Sequence, residues 1–211
     1  MSASEESARD LAEIEVDLQA EGVKTENENE KEKEMERVRE IARLLLQATA
    51  LPGTLGYTAV DYYRIASQAV FRCHRCGTCC TTADPIKLRG KDVAKIARHL
   101  KMSLQRAKRK LVVRLGDDYA FKRARPCRFY DARSGCKIYA VRPWSCRIFP
   151  FLGIYGSPER VVVHPTCPGS VEAARKLHSA LEELKGGMGA IDPAAVRRAR
   201  NELEEMLKEM V

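Results

Sequence analysis

The chain has 211 residues, of which 45% are hydrophobic and 31% charged, with thirteen Gly, nine Pro and eight Cys, a globular composition that excludes collagen-like and coiled-rod architectures. No apolar run approaches the ~20 residues of a membrane-spanning helix, and Met1-Ser2-Ala3-Ser4-Glu5-Glu6 lacks the basic-then-apolar order of a secretory leader, so the expected setting is cytoplasmic with no membrane partner. The net charge of +8 is uneven: residues 1–36 carry thirteen acidic against four basic side chains, and the rest of the chain 16 acidic against 33 basic.

In chain order, Leu11, Ile14 and Leu18 stand at helical spacing and suggest a short amphipathic helix. Lys24 to Glu36, KTENENEKEKEME, has no apolar face to bury and reads as a linker. Residues 1–34 are thus expected to be an acidic, largely disordered tail and linker. The folded body should begin with helices over 35–70. Val38, Ile41, Ala42 and Leu45 form one stripe, and Tyr62, Ile65, Ala66 and Ala69 form another after Thr58. From 71 to 169 the sequence turns to cysteines, turns and short strands, expected at Arg128–Tyr130, Lys137–Ala140 and Val161–Val163. A helical insertion over 91–114 interrupts them, with Val93, Ile96, Ala97 and Leu100 on one face and Ser103 capping a second helix that buries Leu104, Ala107 and Leu111. Residues 170–211 read as helices again, one opened by Ser170 and closed at Gly186-Gly187, the next started by Asp192-Pro193. The expected class is α+β: helices packed around a loop-rich core with short strands, pinned by cysteine-ligated metal.

Reduced thiols are the rule in the cytoplasm, so eight cysteines there point to metal rather than to four disulfides. Cys73-x2-Cys76-x2-Cys79-Cys80 overlaps two C-x2-C steps, each of which puts two thiolates on one turn of backbone, and Gly77 allows the tight path. Cys127, Cys136, Cys146 and Cys167 bring the total to eight, enough for two closed four-thiolate sites. Adjacent side chains diverge, so Cys79 and Cys80 should serve different centres. The resulting partition places Cys73, Cys76, Cys79 and Cys167 on one centre and Cys80, Cys127, Cys136 and Cys146 on the other. A triple x2 run with a distant fourth ligand before Pro168 suits a [4Fe-4S] cubane, whereas zinc favours paired knuckles but tolerates irregular all-thiolate spacing, so zinc and iron both stay open. Arg72, Arg75, Arg128 and Arg147 adjoin cysteines and Arg142 lies close by, which makes their guanidinium groups candidate partners for sulfur.

Phe71-x-Cys73-x2-Cys76-Gly77-x-Cys79-Cys80, Ile86-x-Leu88 before Asp92, Pro126-Cys127-x-Phe129, Cys136-x-Ile138-Tyr139 and Arg142-Pro143-x2-Cys146-Arg147-x-Phe149-Pro150-Phe151 follow one another in order. This succession resembles the CxxCxxCC or YkgJ-type cysteine cluster family, from about Phe71 to Gly169. The resemblance implies a zinc- or iron-chelating domain, and through a related branch, the flagellin lysine methylases, it raises an iron-sulfur methyltransferase-like enzyme as an alternative. It leaves the first 70 residues and the C-terminal helices unexplained.

Metal chelation with a structural, redox or sensing role is therefore the leading reading. The sequence has no radical-SAM C-x3-C-x2-C, no G-x-G-x-x-G and no P-loop, so it does not by itself specify an enzyme. His74 and His164 are spectators beside eight thiols, and Tyr139 and Trp144 pack around the cluster. A third reading is weak nucleic-acid binding through a basic face, since Lys87 to Arg147 holds nineteen basic and four acidic residues with Arg106, Lys108, Arg109, Lys110 and Arg114 on one stripe. The aromatic content of 6% leaves little for base stacking.

Overall fold

The structure, a computed structural model, describes residues 26–52, 56–82, 86–122, 126–152, 163–187 and 189–211. Its helices are α1 (Glu26–Thr49), α2 (Ala59–Val70), α3 (Thr78–Thr82), α4 (Gly90–His99), α5 (Leu104–Leu111), α6 (Trp144–Ile148), α7 (Pro168–Lys185) and α8 (Pro193–Met210). The strands are β1 (Lys87–Leu88), β2 (Val112–Leu115), β3 (Asp118–Phe121), β4 (Tyr130–Asp131) and β5 (Gly135–Cys136), with a 3-10 turn at Tyr139–Val141. The class is α+β. Among the described residues no helix is long and apolar enough to cross a membrane.

Contacts divide the chain into two units, residues 1–37 and 38–211. What is described of the first is the polar beginning of α1, and here the expected linker is helical from Glu26 onward. The missing apolar face argued against burial, but not against a helix. Glu and Lys are good helix formers, and Glu28 with Lys31 and Glu30 with Lys33 fall at the i, i+3 spacing that supports one. The helix suggested by Leu11, Ile14 and Leu18 lies outside the described residues.

In the second unit the predicted stripes meet. Ile41 and Leu45 of α1, Ile65 and Ala66 of α2, Leu177 of α7 and Leu203 of α8 share one buried core. Helix starts are set by side chains. Thr58 and Asp61 form a reciprocal capping box on α2, and Asp192 accepts from the Ala194 and Ala195 amides at 2.9 and 3.1 Å on α8. Helix α7 begins at Pro168, two residues before the expected Ser170. A first-turn proline is favoured there because its missing N–H would have had no helical partner.

The chain between α2 and α7 builds a second core from Leu88, Val93, Ile96, Leu111, Phe121 and Ile138, with Cys127 buried in it and Cys80, Cys136 and Cys146 packed against it. Its sheet has the order β1-β3-β2, antiparallel throughout, with Lys87 opposite Ala120 and Val112 opposite Phe121. The hairpin β2–β3 replaces the end of the expected helical insertion. β-branched Val112 and Val113 favour extended chain, and Gly116 at φ +60 turns it. The smaller hairpin β4–β5 pairs Tyr130 with Cys136, so the strands expected at Arg128–Tyr130 and Lys137–Ala140 are shifted toward a turn in which Asp131 Oδ1 accepts from the Arg133 and Ser134 amides at 3.0 and 2.9 Å. Those bonds hold the Asp131 carboxyl down at about 2. Of the third expected strand, Val161 and Val162 lie outside the described residues and Val163 is in no strand.

Gln68 of α2 anchors the loop that follows α6. Its Nε2 donates to the carbonyls of Arg147 (3.0 Å) and Phe149 (3.3 Å), and its Oε1 accepts from the Phe151 amide (3.1 Å), while Arg64 Nε donates to the Phe151 carbonyl at 2.8 Å. Gln68→Leu keeps the volume and removes all three bonds, leaving backbone groups unpaired, so thermal unfolding should show a loss of about 2–4 kcal/mol. A loss under about 1 kcal/mol would mean that water replaces the amide.

Candidate metal centre

The cysteines arrive from six places in the chain. Cys73 and Cys76 lie in the extended stretch after α2, where the Arg75 amide donates to Cys73 Sγ at 3.4 Å. Gly77, at φ +86, turns the chain into α3, which carries Cys79 and Cys80; a Cβ on Gly77 would lie 2.1 Å from the Tyr130 hydroxyl, so only glycine fits. The Cys127 amide donates to the Cys80 carbonyl at 2.6 Å and ties the two segments together. Cys136 sits on β5, Cys146 on α6, and Cys167 caps α7. A Cβ on Gly169 would lie 2.3 Å from the Arg72 carbonyl, a measure of how closely α7 approaches the first cysteine run.

All eight thiols are free and line one cavity of about 280 Å³, together with Ile86, Phe121, Ile138, Tyr139, Arg75 and Arg142. Among the described residues the lining contains no carboxylate. Among the described residues no three His, Cys, Asp or Glu side chains stand in a metal-coordinating arrangement. The donor set nevertheless suits zinc or iron, for which thiolates are preferred ligands, and disfavours hard cations, which need oxygen.

Burial pushes the Cys146 thiol up to about 12, and burial also raises Cys127, Cys136 and Cys167. Neighbouring thiols add to this. Cys167 is raised further by Cys76, Cys79 and Cys73, and Cys146 by Cys79, Cys127 and Cys136. Cys79 goes the other way: a hydrogen bond from the Cys80 thiol, helped by Arg142, brings it down to about 7. The same hydrogen bond, with burial, pushes Cys80 up. Cys79 is thus partly ionised at neutral pH.

His74 lines the cavity, but its Nε2 lies 2.6 Å from Glu172 of α7, whose other oxygen meets Lys176 at 2.6 Å. His164 Nδ1 lies in hydrogen-bond contact with Thr166 Oγ1 at 3.1 Å, and its ring packs 5.2 Å from that of Phe149. Both histidines are held from outside the thiol set. The aromatic residues do more than fill space: Arg142 and Arg75 lie 3.9 and 4.4 Å from the Tyr139 ring centre, and Arg89 lies 4.3 Å from that of Trp144. Of the five arginines expected beside sulfur, only Arg75 and Arg142 line the cavity. Arg72 reaches the Phe71 carbonyl, and Arg128 reaches the Lys110 carbonyl at 2.9 Å. Sequence adjacency to a cysteine says little about where a long side chain ends.

Several cations of the basic region serve the fold. The Lys122 ammonium donates to the Arg109 carbonyl and Arg128 to that of Lys110, closing the C-terminal turn of α5, and Lys108 lies 5.4 Å from the Tyr119 ring centre.

The family model described as "CxxCxxCC: Putative zinc- or iron-chelating domain" matches residues 72–168. An uncharacterized protein of Methanocaldococcus jannaschii is 35% identical over 85 residues, 38% of this chain and 44% of that relative, so the chain spans less than half of the relative it matches. No solved structure matches. The matched stretch begins just before Cys73 and ends just after Cys167, and it therefore encloses every thiol of the cavity. Residues 72–168 thus match the model of the CxxCxxCC cysteine-cluster family, whose description is that of a zinc or iron chelator.

Proposed function

We propose that the protein binds metal through all eight cysteines, in two centres: Cys73, Cys76, Cys79 and Cys167 hold one, and Cys80, Cys127, Cys136 and Cys146 the other. The observation that carries this reading is the convergence of eight free thiols on one cavity whose lining, among the described residues, has no carboxylate. The thiols that raise Cys167 all belong to the first set, whereas Cys79 of that set also raises Cys80, Cys127 and Cys146 of the second, so the two proposed centres stand close together. The metals are zinc or iron, with at least one [4Fe-4S] centre, and the setting is a reducing cytoplasm. Bound metal supplies fold stabilisation and, where it is iron-sulfur, electron transfer or sensing. The chain's own part is to hold the thiols near one another, to keep the cavity apolar on one side through Ile86, Phe121 and Ile138, and to carry positive charge beside the sulfurs on Arg75 and Arg142. The methyltransferase-like and nucleic-acid readings gain no support from this geometry, and Lys122 and Arg128 of the basic region are engaged with backbone carbonyls.

Protein expressed with ample iron and purified without oxygen should contain metal, be brown with broad absorption at roughly 400 nm, and bleach with dithionite. Two zinc ions per chain without acid-labile sulfide would remove the iron-sulfur part. Absence of any bound metal would remove the whole reading.

Loading is also tied to pH. Thiols that burial has raised are protonated at neutral pH in the metal-free protein, and a metal must displace those protons. Zinc added to metal-free protein at pH 7 should displace a proton from each raised thiol, Cys80, Cys127, Cys136, Cys146 and Cys167, and less than a full proton from Cys79. A pH-stat reading below about five protons per chain would leave at least one raised cysteine unligated. The sign reverses for the metal-free fold: a raised thiol contributes its full stability below the ordinary thiol range and loses it as pH rises toward the Cys146 value of about 12. Metal-free protein should therefore melt progressively lower above about pH 9.

A further inference from the structure

We propose that Arg75 and Arg142, stacked on the ring of Tyr139, form a cationic clamp that takes up the negative charge of the thiolate-metal centre, an assignment that rests on the metal-binding reading above.

Three observations place the clamp. Both guanidinium groups lie over the same ring, at 4.4 and 3.9 Å from its centre, and both line the thiol cavity. Two like charges on one aromatic residue repel, and among the described residues neither meets a carboxylate that would offset this. The Arg142 Nε is buried with no acceptor. A buried charged donor in that state is costly unless an anion stands beside it.

The backbone is shaped to the same end. Arg75 has φ +55, a left-handed conformation that non-glycine residues adopt reluctantly, in the middle of the C-x2-C step. A Cβ on Gly135 would stand 3.0 Å from the Arg75 Cβ, so the β4–β5 turn lies against the base of the Arg75 side chain. Arg142 enters from the opposite direction in the chain, directly after the 3-10 turn that carries Tyr139. A four-thiolate zinc or oxidised cubane site carries a net charge of about −2, and guanidinium groups, planar and always charged, are suited to sulfur acceptors at such a site. Trp144 Nε1 and Arg147 Nε are also buried without acceptors, but neither residue lines the cavity, so they belong to a different environment.

The test uses the full chain, reduced and free of oxygen, titrated with zinc(II) against a chromogenic chelator. R142Q and R75Q should each weaken zinc affinity about tenfold or more, while R142K, which keeps the charge, stays within about threefold of wild type. R72Q removes a charge next to Cys73 in sequence but outside the cavity, and should bind as wild type does. Retention of wild-type affinity by both glutamine variants, or an equal loss in R142K and R142Q, overturns the clamp. Should R142Q fail to keep its helical signal, R75Q against R142K decides the matter. Wild-type protein that takes up no zinc would sink the metal reading itself, and the clamp with it; wild-type uptake matched by the glutamine variants sinks the clamp alone.

Discussion

Cys146→Ser will cost the protein about half of its bound metal and lower its melting point by at least several degrees. A hydroxyl is a poor ligand for zinc or iron where a thiolate is a good one, and ligand binding in such sites is folding free energy. Cys146 packs against the second core, where burial has already pushed its thiol up to about 12. The metal-free protein should feel the change as well, since a hydroxyl there is more costly to bury than a thiol. Cys76→Ser should remove metal from the other centre, but with almost no effect on the metal-free protein, because Cys76 is exposed. Metal analysis and calorimetry on loaded and stripped samples separate the two contributions. Either variant that keeps full metal content and the wild-type melting point identifies a cysteine that is not a ligand.

The second large effect is expected where no ligand is touched. Gly77→Ala places a methyl group 2.1 Å from the Tyr130 hydroxyl and 2.2 Å from its ring carbon, and asks alanine to hold φ +86. The backbone term alone costs about 1–2 kcal/mol, and the clash must displace Tyr130 or α3, which carries Cys79 and Cys80. The variant should lose metal affinity at least tenfold and unfold with a destabilisation of about 3 kcal/mol or more. Pairing it with Tyr130→Ala divides the effect: the double variant should recover the steric part and keep the backbone part. No recovery in the cycle would mean that the conformation of Gly77, rather than the space above it, sets the path into α3.

Much of this site was legible in the amino-acid order, because its signals are local. Overlapping C-x2-C steps around Gly77 mark a tight thiol-bearing turn, and the stripes at Val38 to Leu45 and Tyr62 to Ala69 mark two helices of the bundle core. The helix from Glu26 escapes a reading of apolar faces, because its polar run has little to bury while its Glu and Lys residues still favour a helix. The hairpin at Val112 to Phe121 did have a local signal, paired β-rich runs around Gly116-Asp117, but it was hidden by the helical pattern immediately before it. The stacking of Arg75 and Arg142 on Tyr139 had none. Those side chains meet only when the first cysteine run and the segment around Cys136 are folded together, and sequence neighbourhood favoured Arg72, Arg128 and Arg147 equally.

The approach of Gly169 to the Arg72 carbonyl, with the His74–Glu172 pair beside it, means that the cysteine segment leaves α2 and returns at α7 through nearly the same point. For the helical core, everything from Cys73 to Cys167 is a single loop whose ends touch. The entropy of closing such a loop grows only with the logarithm of its length, so the segment can gain or lose surface turns at little cost to the helices. A centre shared by Cys73 and Cys167 would act on that loop as a cross-link does. It would restrict the unfolded chain by an amount on the order of 4–5 kcal/mol for a loop of about 100 residues. Helices α1 and α8, which hold no cysteine, would then gain stability from metal occupancy through chain connectivity, without touching the site.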